Sequence, residues 1–397
     1  MTIQRIVLAC TGLEEGRDGV GDYCRKLAAT LHAAGIDCAL LALNDQLIEH
    51  HQSSALDGGA TPVLRLPRRL PRREKLEAAS KFIADFKPDV VSLQFVSYGF
   101  NRKGVVLPDI GWLSELFSPY RLELMCHEVW LGTEMHPTLK RRVVGTIQRE
   151  AIRRLIARLK PAAVHTTNIR YASLYESIAV RAQLLPLFGA VPVTNTDGSG
   201  WVLPALRNQG FPDIANDRGR YWLFGMFGGT VLRWPFTGIF NRLSDIAQRE
   251  NRIPALVAFG VIGAQPENIV AQWRASCPAM HFAWIGRQPA QAVSEIMNAV
   301  DFAISSHENY AIGKSSAAAA FLEHGVPVIT NWGYDPNFPV VVEAPFDRLV
   351  WRDDDALEQR LLHPPVRTRM FDRADQIARR FLDDLQKIDT APFIENR

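Results

Sequence analysis

Short apolar runs and amphipathic segments alternate along this chain, and the pattern starts over once. In the first half Ile6–Cys10 reads as a buried strand. A loop with Gly16, Gly19 and Gly21 follows. Asp22–Ala34 then carries Tyr23, Leu27 and Leu31 at helical spacing, and Gly35 stops it before the apolar run Cys38–Leu43. Strand, glycine-rich turn, helix, strand is the parallel βαβ unit of a doubly wound sheet. The second half repeats the scheme with strands at Tyr221–Phe227, Ala255–Phe259, Met280–Ile285 and Asp301–Ser305. Helices at Phe236–Gln248, Gln265–Ser276 and Gln288–Ala299 lie between them, and several of the strands end in Gly. The expected fold class is α/β, with two Rossmann-like, doubly wound parallel-sheet domains. Their expected limits are 1–195 for an N-terminal domain and 196–220 for a linker. A C-terminal domain spans 221–375, and a last helix within 376–397 packs back on the N-terminal domain.

The 397 residues are enough for two such domains. No apolar run approaches the roughly 20 residues of a membrane span. Ile3–Cys10 is too short and wrongly flanked for a secretory signal. The five cysteines are scattered, with no zinc spacing, which suits free thiols in a reducing cytoplasm. Charge is uneven. Residues 1–195 carry 25 Lys and Arg against 19 Asp and Glu, a net +6, whereas residues 196–397 carry 20 against 23, a net −3.

Two basic stretches stand out in the first half. One is Arg65, Arg68, Arg69, Arg72, Arg73 and Lys75. The other is the helix expected over Thr138–Leu159, with an apolar stripe at Leu139, Val143, Ile147, Ala151, Leu155 and Leu159. A solvated helix face is one reading, and peripheral docking on an anionic membrane is the other. Aromatic residues are not interleaved with these arginines, so nucleic acid is not an expected partner.

Ligands of open α/β sheets lie outside the carboxyl ends of the strands. In the first half Gln94 falls near such an end, with Tyr98 just beyond it, and Arg121–Cys126 runs into His127. His127 is either a structural histidine or a functional one, and its place at a strand end favours function. Gly19 and Gly21 would let backbone approach a phosphate or sugar. The order Gly19-Val20-Gly21-Asp22-Tyr23 lacks the third glycine of a dinucleotide fingerprint, which argues against NAD.

The most informative stretch runs from Ser305 to Ser316, between a strand end and an Ala-rich helix. Such a helix start offers free N–H groups and a positive dipole end to an anion. Gly313 permits close approach, Lys314 adds a full charge, and Ser315 or Ser316 can cap. The Walker pattern is absent, because Glu308 stands where its first Gly belongs. Asp353-Asp354-Asp355 resembles a metal cluster but reads better as a helix start satisfied by carboxylates.

Taken in order, these pieces resemble the GT-B glycosyltransferases, and most closely their retaining family 4. Gly19-Val20-Gly21 sits where that family has its donor-facing glycine loop. Met125-Cys126-His127-Glu128 is similar to its strand ending in His-Asp or His-Glu. Phe227-Gly228-Gly229 is similar to the strand that opens its second domain, and Gly325-Val326-Pro327-Val328-Ile329 to a later strand. The family's two glutamates, eight positions apart, are not both present. Eight beyond Glu308 is Ser316, while counting back from Gly325 puts the acids at Ile312 and Ala320.

The resemblance implies two domains facing across a cleft, and transfer of a hexose-type sugar from a nucleotide-diphosphate donor with retention. The donor is a co-substrate. No bound cofactor and no metal is expected. His127 and Glu308 are the expected catalytic residues, and Gln94 and Tyr98 lie on the side of a sugar-containing acceptor. Gly19, Gly21, Gly228, Gly229, Thr230, Arg233, Gly313, Lys314, Ser315 and Ser316 are expected at the diphosphate, and Gly286 and Arg287 at the nucleotide. The expected setting is cytoplasmic, at the inner face of the plasma membrane if the basic surface docks there. Two alternatives stay open: a GT-B-like sugar-nucleotide epimerase or phosphorylase, and an inactive sugar-nucleotide-binding protein.

Overall fold

The computed structural model describes residues 2–134, 137–196, 198–211, 213–231, 234–338, 342, 345–368 and 372–387. The chain divides into two compact units. One is Met1–Pro186 with Ala374–Arg397, and the other is Leu187–Arg373.

The first unit contains β1 (Arg5–Cys10), α1 (Gly19–Ala33), β2 (Asp37–Asp45), β3 (Gln52–Leu56), β4 (Thr61–Pro67) and α2 (Arg72–Phe86). It continues through β5 (Val90–Phe95), α3 (Ser97–Phe100), α4 (Ile110–Phe117), β6 (Leu122–Cys126), α5 (Leu139–Leu159), β7 (Ala163–Thr166), α6 (Ile169–Glu176) and β8 (Gln183–Leu184). The sheet order is β3-β4-β2-β1-β5-β6-β7-β8, parallel except for the edge strand β3. β1 and β5 are covered on both faces, which is why they read as unbroken apolar runs.

The second unit contains α7 (Ser199–Arg207), β9 (Tyr221–Phe227), α8 (Phe236–Arg249), β10 (Ile253–Phe259), α9 (Pro266–Ser276), β11 (His281–Gly286) and α10 (Ala290–Ala299). β12 (Phe302–Ile304), α11 (Ser316–Glu323), β13 (Val328–Thr330), β14 (Val350–Arg352) and α12 (Leu357–Leu362) complete it. Its sheet is parallel throughout, in the order β11-β10-β9-β12-β13-β14. The last helix, α13 (Ala374–Lys387), belongs to the first unit and packs on α1. An Arg121 guanidinium nitrogen donates to the Leu385 carbonyl there.

Several expectations are corrected. The linker expected at 196–220 contains a helix, and Val202, Leu206, Phe211 and Ile214 from it are buried in the core of the second unit. Apolar side chains that find a core cannot serve as a solvated tether. The unit boundary lies earlier, at Leu187. β8 is only Gln183–Leu184, and Leu187 and Phe188 belong to the second unit.

Three of the six cations in the basic segment at 65–75 are held by partners in their own unit. Arg65 bonds Asp45 at 2.8 Å and Glu14 at 2.7 Å. Lys75 is buried, with Nζ 2.6 Å from Asn44 Oδ1, and Arg72 bonds Asp109 at 2.9 Å. Asp353 pairs with Arg242, and Asp354 accepts from the Ala356 N–H and pairs with Arg360, so this run answers arginines and a helix start.

Candidate functional site

In the second unit the strand ends turn away from the sheet in step. Gly228, Gly260 and Gly286 follow or close β9, β10 and β11, with φ of +78°, +79° and +77°. That left-handed region costs any residue with a β-carbon, so glycine stands there for a backbone reason. The Gly228 N–H donates to Phe259 O at 3.0 Å and the Gly260 N–H to Gly286 O at 2.8 Å. A β-carbon at Gly228 would meet nothing within 4 Å, and one at Gly229 only Val261 O at 3.9 Å. The loop therefore presents bare backbone to open space. Thr230 turns its hydroxyl to the loop after β10, donating to Ile262 O at 2.9 Å.

Next to β9 in the sheet, β12 ends at Ile304 and Ser305–His307 leave the sheet. Asn309–Lys314, with Gly313 half-buried in it, then forms a tight 3-10 turn ahead of α11. Ser315 is extended and its Oγ accepts from the Ala318 N–H at 3.2 Å, an N-cap. The cap satisfies one donor of the first turn, and helix geometry leaves the N–H groups of Ser316 and Ala317 without intrahelical acceptors. A small cavity of about 20 Å³ lies among these parts, lined by Gly229, Ser305, Ser306, His307, Ser315 and Phe321.

Electrostatics at this end favour an anion. Lys314 closes the 3-10 turn, half-buried. Burial, and after it the charge of Lys314, holds His307 down to about 4. The imidazole is therefore neutral at pH 7, and Lys314 and the helix start supply the positive field.

Glu308 is the one carboxylate between Ser305 and Ala320. It is half-buried and packs on Gly333, where a β-carbon would overlap its own. Ile312 and Ala320, the other register for the family's acids, are both buried in the apolar core. Arg287 is exposed just beyond Gly286. Arg233 lies outside the described residues.

In the first unit the N-terminus of α1 already holds an anion. Asp18 Oδ1 accepts from the N–H groups of Val20 and Gly21, both at 3.0 Å. Burial raises its pKa while those two bonds oppose the shift. A β-carbon at Gly21 would stand 2.5 Å from Gly12 O, so this glycine lets α1 approach the loop after β1. The expectation that Gly19 and Gly21 cradle a diphosphate meets a carboxylate in place and a packing role for Gly21.

Gln94 and His127 do come together. His127 Nε2 lies 2.8 Å from Gln94 Oε1, and the Tyr23 ring meets the imidazole edge-on at 5.3 Å. Burial lowers the pKa of His127 to about 4. Tyr98 is held apart from this pair, its hydroxyl accepting from Gln148 Nε2 at 3.0 Å. Ser306 and His307 are the cavity residues that residue-by-residue reading passed over. Their signal was their place directly after a strand end, ahead of Glu308.

The architecture was compared with solved structures. Sucrose-phosphate synthase from Thermosynechococcus elongatus superposes with a TM-score of 0.58 at 14% identity, over 98% of this chain and 96% of that one. The catalytic domain of starch synthase IV from Arabidopsis thaliana, solved with ADP and acarbose, gives 0.57 at 12% identity, over 98% and 100%. HepE from Anabaena, solved with UDP and glucose, gives 0.57 at 11% identity, over 97% and 100%. The fold is that of the GT-B glycosyltransferases. No protein-family model matches the sequence, and no curated protein matches it significantly. The GT-B likeness thus lives in topology and chain length, and identities of 11–14% carry no residue assignments with them.

Proposed function

We propose that this protein is a glycosyltransferase that moves a hexose-type sugar from a nucleotide-diphosphate donor to a sugar-containing acceptor, with retention of configuration. One observation carries the reading. On a GT-B fold, the second unit gathers Gly229, the Ser305–His307 strand end and the start of α11 around one cavity, with Gly228 and Lys314 next to these in the chain.

In this reading the diphosphate lies against Gly228, Gly229, Lys314 and the α11 start. The leaving group is a nucleoside diphosphate, whose charge grows as the glycosidic bond breaks. Fixed N–H dipoles and an ammonium stabilise that growing charge more than the ground state, which is what accelerates bond cleavage. That charge can be met without a metal. Glu308 takes the sugar-hydroxyl contact, and His127 with Gln94 serves the sugar or the acceptor. Gly286 and Arg287 stand on the nucleotide side.

α5 supports a peripheral contact with an anionic membrane at a cytoplasmic face. Leu139, Val143 and Ile147 are 77%, 55% and 47% exposed at i, i+4, i+8 spacing, with Lys140 and Arg142 exposed beside them. In place of that stripe, Gly145 and Gln148 turn inward. Gly145 sits against the Leu131 carbonyl, and Gln148 Oε1 accepts the Leu131 N–H at 2.8 Å.

The test is a panel of UDP-, ADP- and GDP-hexoses screened by thermal shift, then nucleotide release with and without glycan and lipid acceptors. Stabilisation by one donor and release that requires an acceptor are expected. Release without any acceptor would favour an epimerase or phosphorylase side reaction, and binding without turnover across the panel would favour an inactive binding protein.

A further inference from the structure

A continuous polar chain crosses the middle of the first sheet. His127 Nε2 is 2.8 Å from Gln94 Oε1, and Gln94 Nε2 donates to Ser92 Oγ at 2.6 Å. The Ser92 hydroxyl donates to Glu123 Oε2 at 2.5 Å, and Glu123 Oε1 is 2.8 Å from His165 Nδ1. His165 Nε2 in turn faces Asp384 Oδ2 of α13 at 3.6 Å. Ser92, Glu123 and His165 have no solvent exposure, and Gln94 has 1%. Parallel register makes the chain possible, since Ser92 stands opposite Glu123 and Gln94 opposite Met125 on adjacent strands.

Donor and acceptor rules give this chain one direction. A carboxylate only accepts, so the Ser92 proton goes to Glu123. The serine lone pair is then left for the Gln94 NH₂ group, which turns Gln94 Oε1 toward His127. An amide oxygen only accepts, so His127 must carry its proton on Nε2. Its Nδ1 keeps a lone pair. That atom has no partner among the described residues and is not one of the fully buried unpaired side-chain atoms.

We infer that Glu123 is a positioning residue that acts through Ser92 and Gln94 to hold His127 as the Nε2–H tautomer, presenting Nδ1 as a hydrogen-bond acceptor to a substrate hydroxyl. The tautomer rests on this geometry alone, and only the substrate hydroxyl rests on the transferase reading. A carboxylate three bonds away from the imidazole thus decides which atom the ligand meets. The cost of burying a charge is offset by its two hydrogen-bonded partners, Ser92 and His165.

The experiment is ¹⁵N NMR of the full chain with labelled histidine, His127 being assigned by its loss in His127→Gln. In the unsubstituted protein at pH 7, His127 is expected to show a protonated Nε2 and an unprotonated Nδ1. Ser92→Ala cuts the link, so Gln94 can turn over and His127 is expected to show both tautomers. Ser92→Thr keeps a hydroxyl and is expected to restore the single form. An Nδ1–H tautomer in the unsubstituted protein would overturn the inference without any variant having to fold. So would a pure Nε2–H tautomer in a folded Ser92→Ala.

Kinetics separates this from the functional reading. With a working donor and acceptor, Ser92→Ala is expected to lower kcat about tenfold, one misplaced hydrogen bond in the transition state, with KM for the donor little changed. Absence of any transfer activity would remove the reading of function while the tautomer result stood. A tautomer that fails, in an enzyme that His127→Ala inactivates, would remove only the inference.

Discussion

Ser306 Oγ accepts the backbone N–H of Val231 at 3.0 Å, tying the loop after β9 to the end of β12. Ser306 is 4% exposed and Val231 is half-buried, so the bond is partly shielded from water. It joins the two walls of the cavity, since Gly229 lies on one side of it and His307 on the other. Ser306→Ala leaves the Val231 N–H without its acceptor. A loss of about 1–2 kcal/mol in stability is expected by urea denaturation. UDP, ADP and GDP should bind about fivefold more weakly by calorimetry as the loop loosens. Unchanged affinity in a destabilised variant would place the diphosphate elsewhere.

Lys314 is a cation at this end. A charge-assisted hydrogen bond contributes about 1.5–3 kcal/mol, so Lys314→Ala should weaken nucleoside-diphosphate binding by roughly ten- to a hundredfold. The pKa of His307 should rise in the same variant, but only part of the way, because burial is the larger cause of its depression. Calorimetry reads the first effect and NMR titration the second. An affinity change below about twofold, less than one such bond is worth, would take Lys314 out of the site.

His127 makes stability depend on pH in a defined sense. Its pKa is about 4 in the folded chain against an ordinary 6.5. Between those values the unfolded chain binds the extra proton and the folded chain does not. The contribution is therefore complete above pH 6.5 and is lost as pH falls from 6.5 through 4. At 1.36 kcal/mol per pH unit this amounts to about 3 kcal/mol. Urea denaturation at pH 7, 5.5 and 4.5 should show the decline, and His127→Gln should lessen it. Equal pH slopes in the two proteins would contradict the assignment.

The exposed stripe on α5 can be removed without touching a core. Changing Leu139, Val143 and Ile147 together to Ser should leave the melting temperature nearly unchanged, since exposed substitutions generally shift stability by less than about 0.5 kcal/mol each. Sedimentation with phosphatidylglycerol vesicles should fall sharply. Arg142→Glu should act in the same direction and more strongly at low salt. Retention of vesicle binding by the triple variant would dismiss α5 as the docking element.

Some elements were legible because their physical signals are local. β1 and β5 are covered on both faces and read as plain apolar runs. α5 announced itself through its helical periodicity, and Thr138 caps it, its Oγ1 accepting the Arg141 N–H. β4 was hidden, because Arg65 within it looks like a solvated residue until Asp45 and Glu14 are seen to receive its guanidinium. The apolar stripe of α5 was legible, but not which half of it would be covered. That depended on Leu131, whose amide and carbonyl meet Gln148 and Gly145.

The order of apolar runs and glycine turns was enough, by itself, to specify two parallel sheets and a polar loop feeding a helix start near Lys314. Periodicity and backbone freedom are properties of neighbours in the chain, so they can be read along it. Which side chains meet across strands was decided only in three dimensions. Glu123 reaches His127 because β5 and β6 pair in one register, and a shift of one residue would turn Ser92 and Gln94 to the opposite face. Asp18 takes the α1 start because its carboxylate is already in reach of two amides, which local spacing permits but only the folded loop enforces.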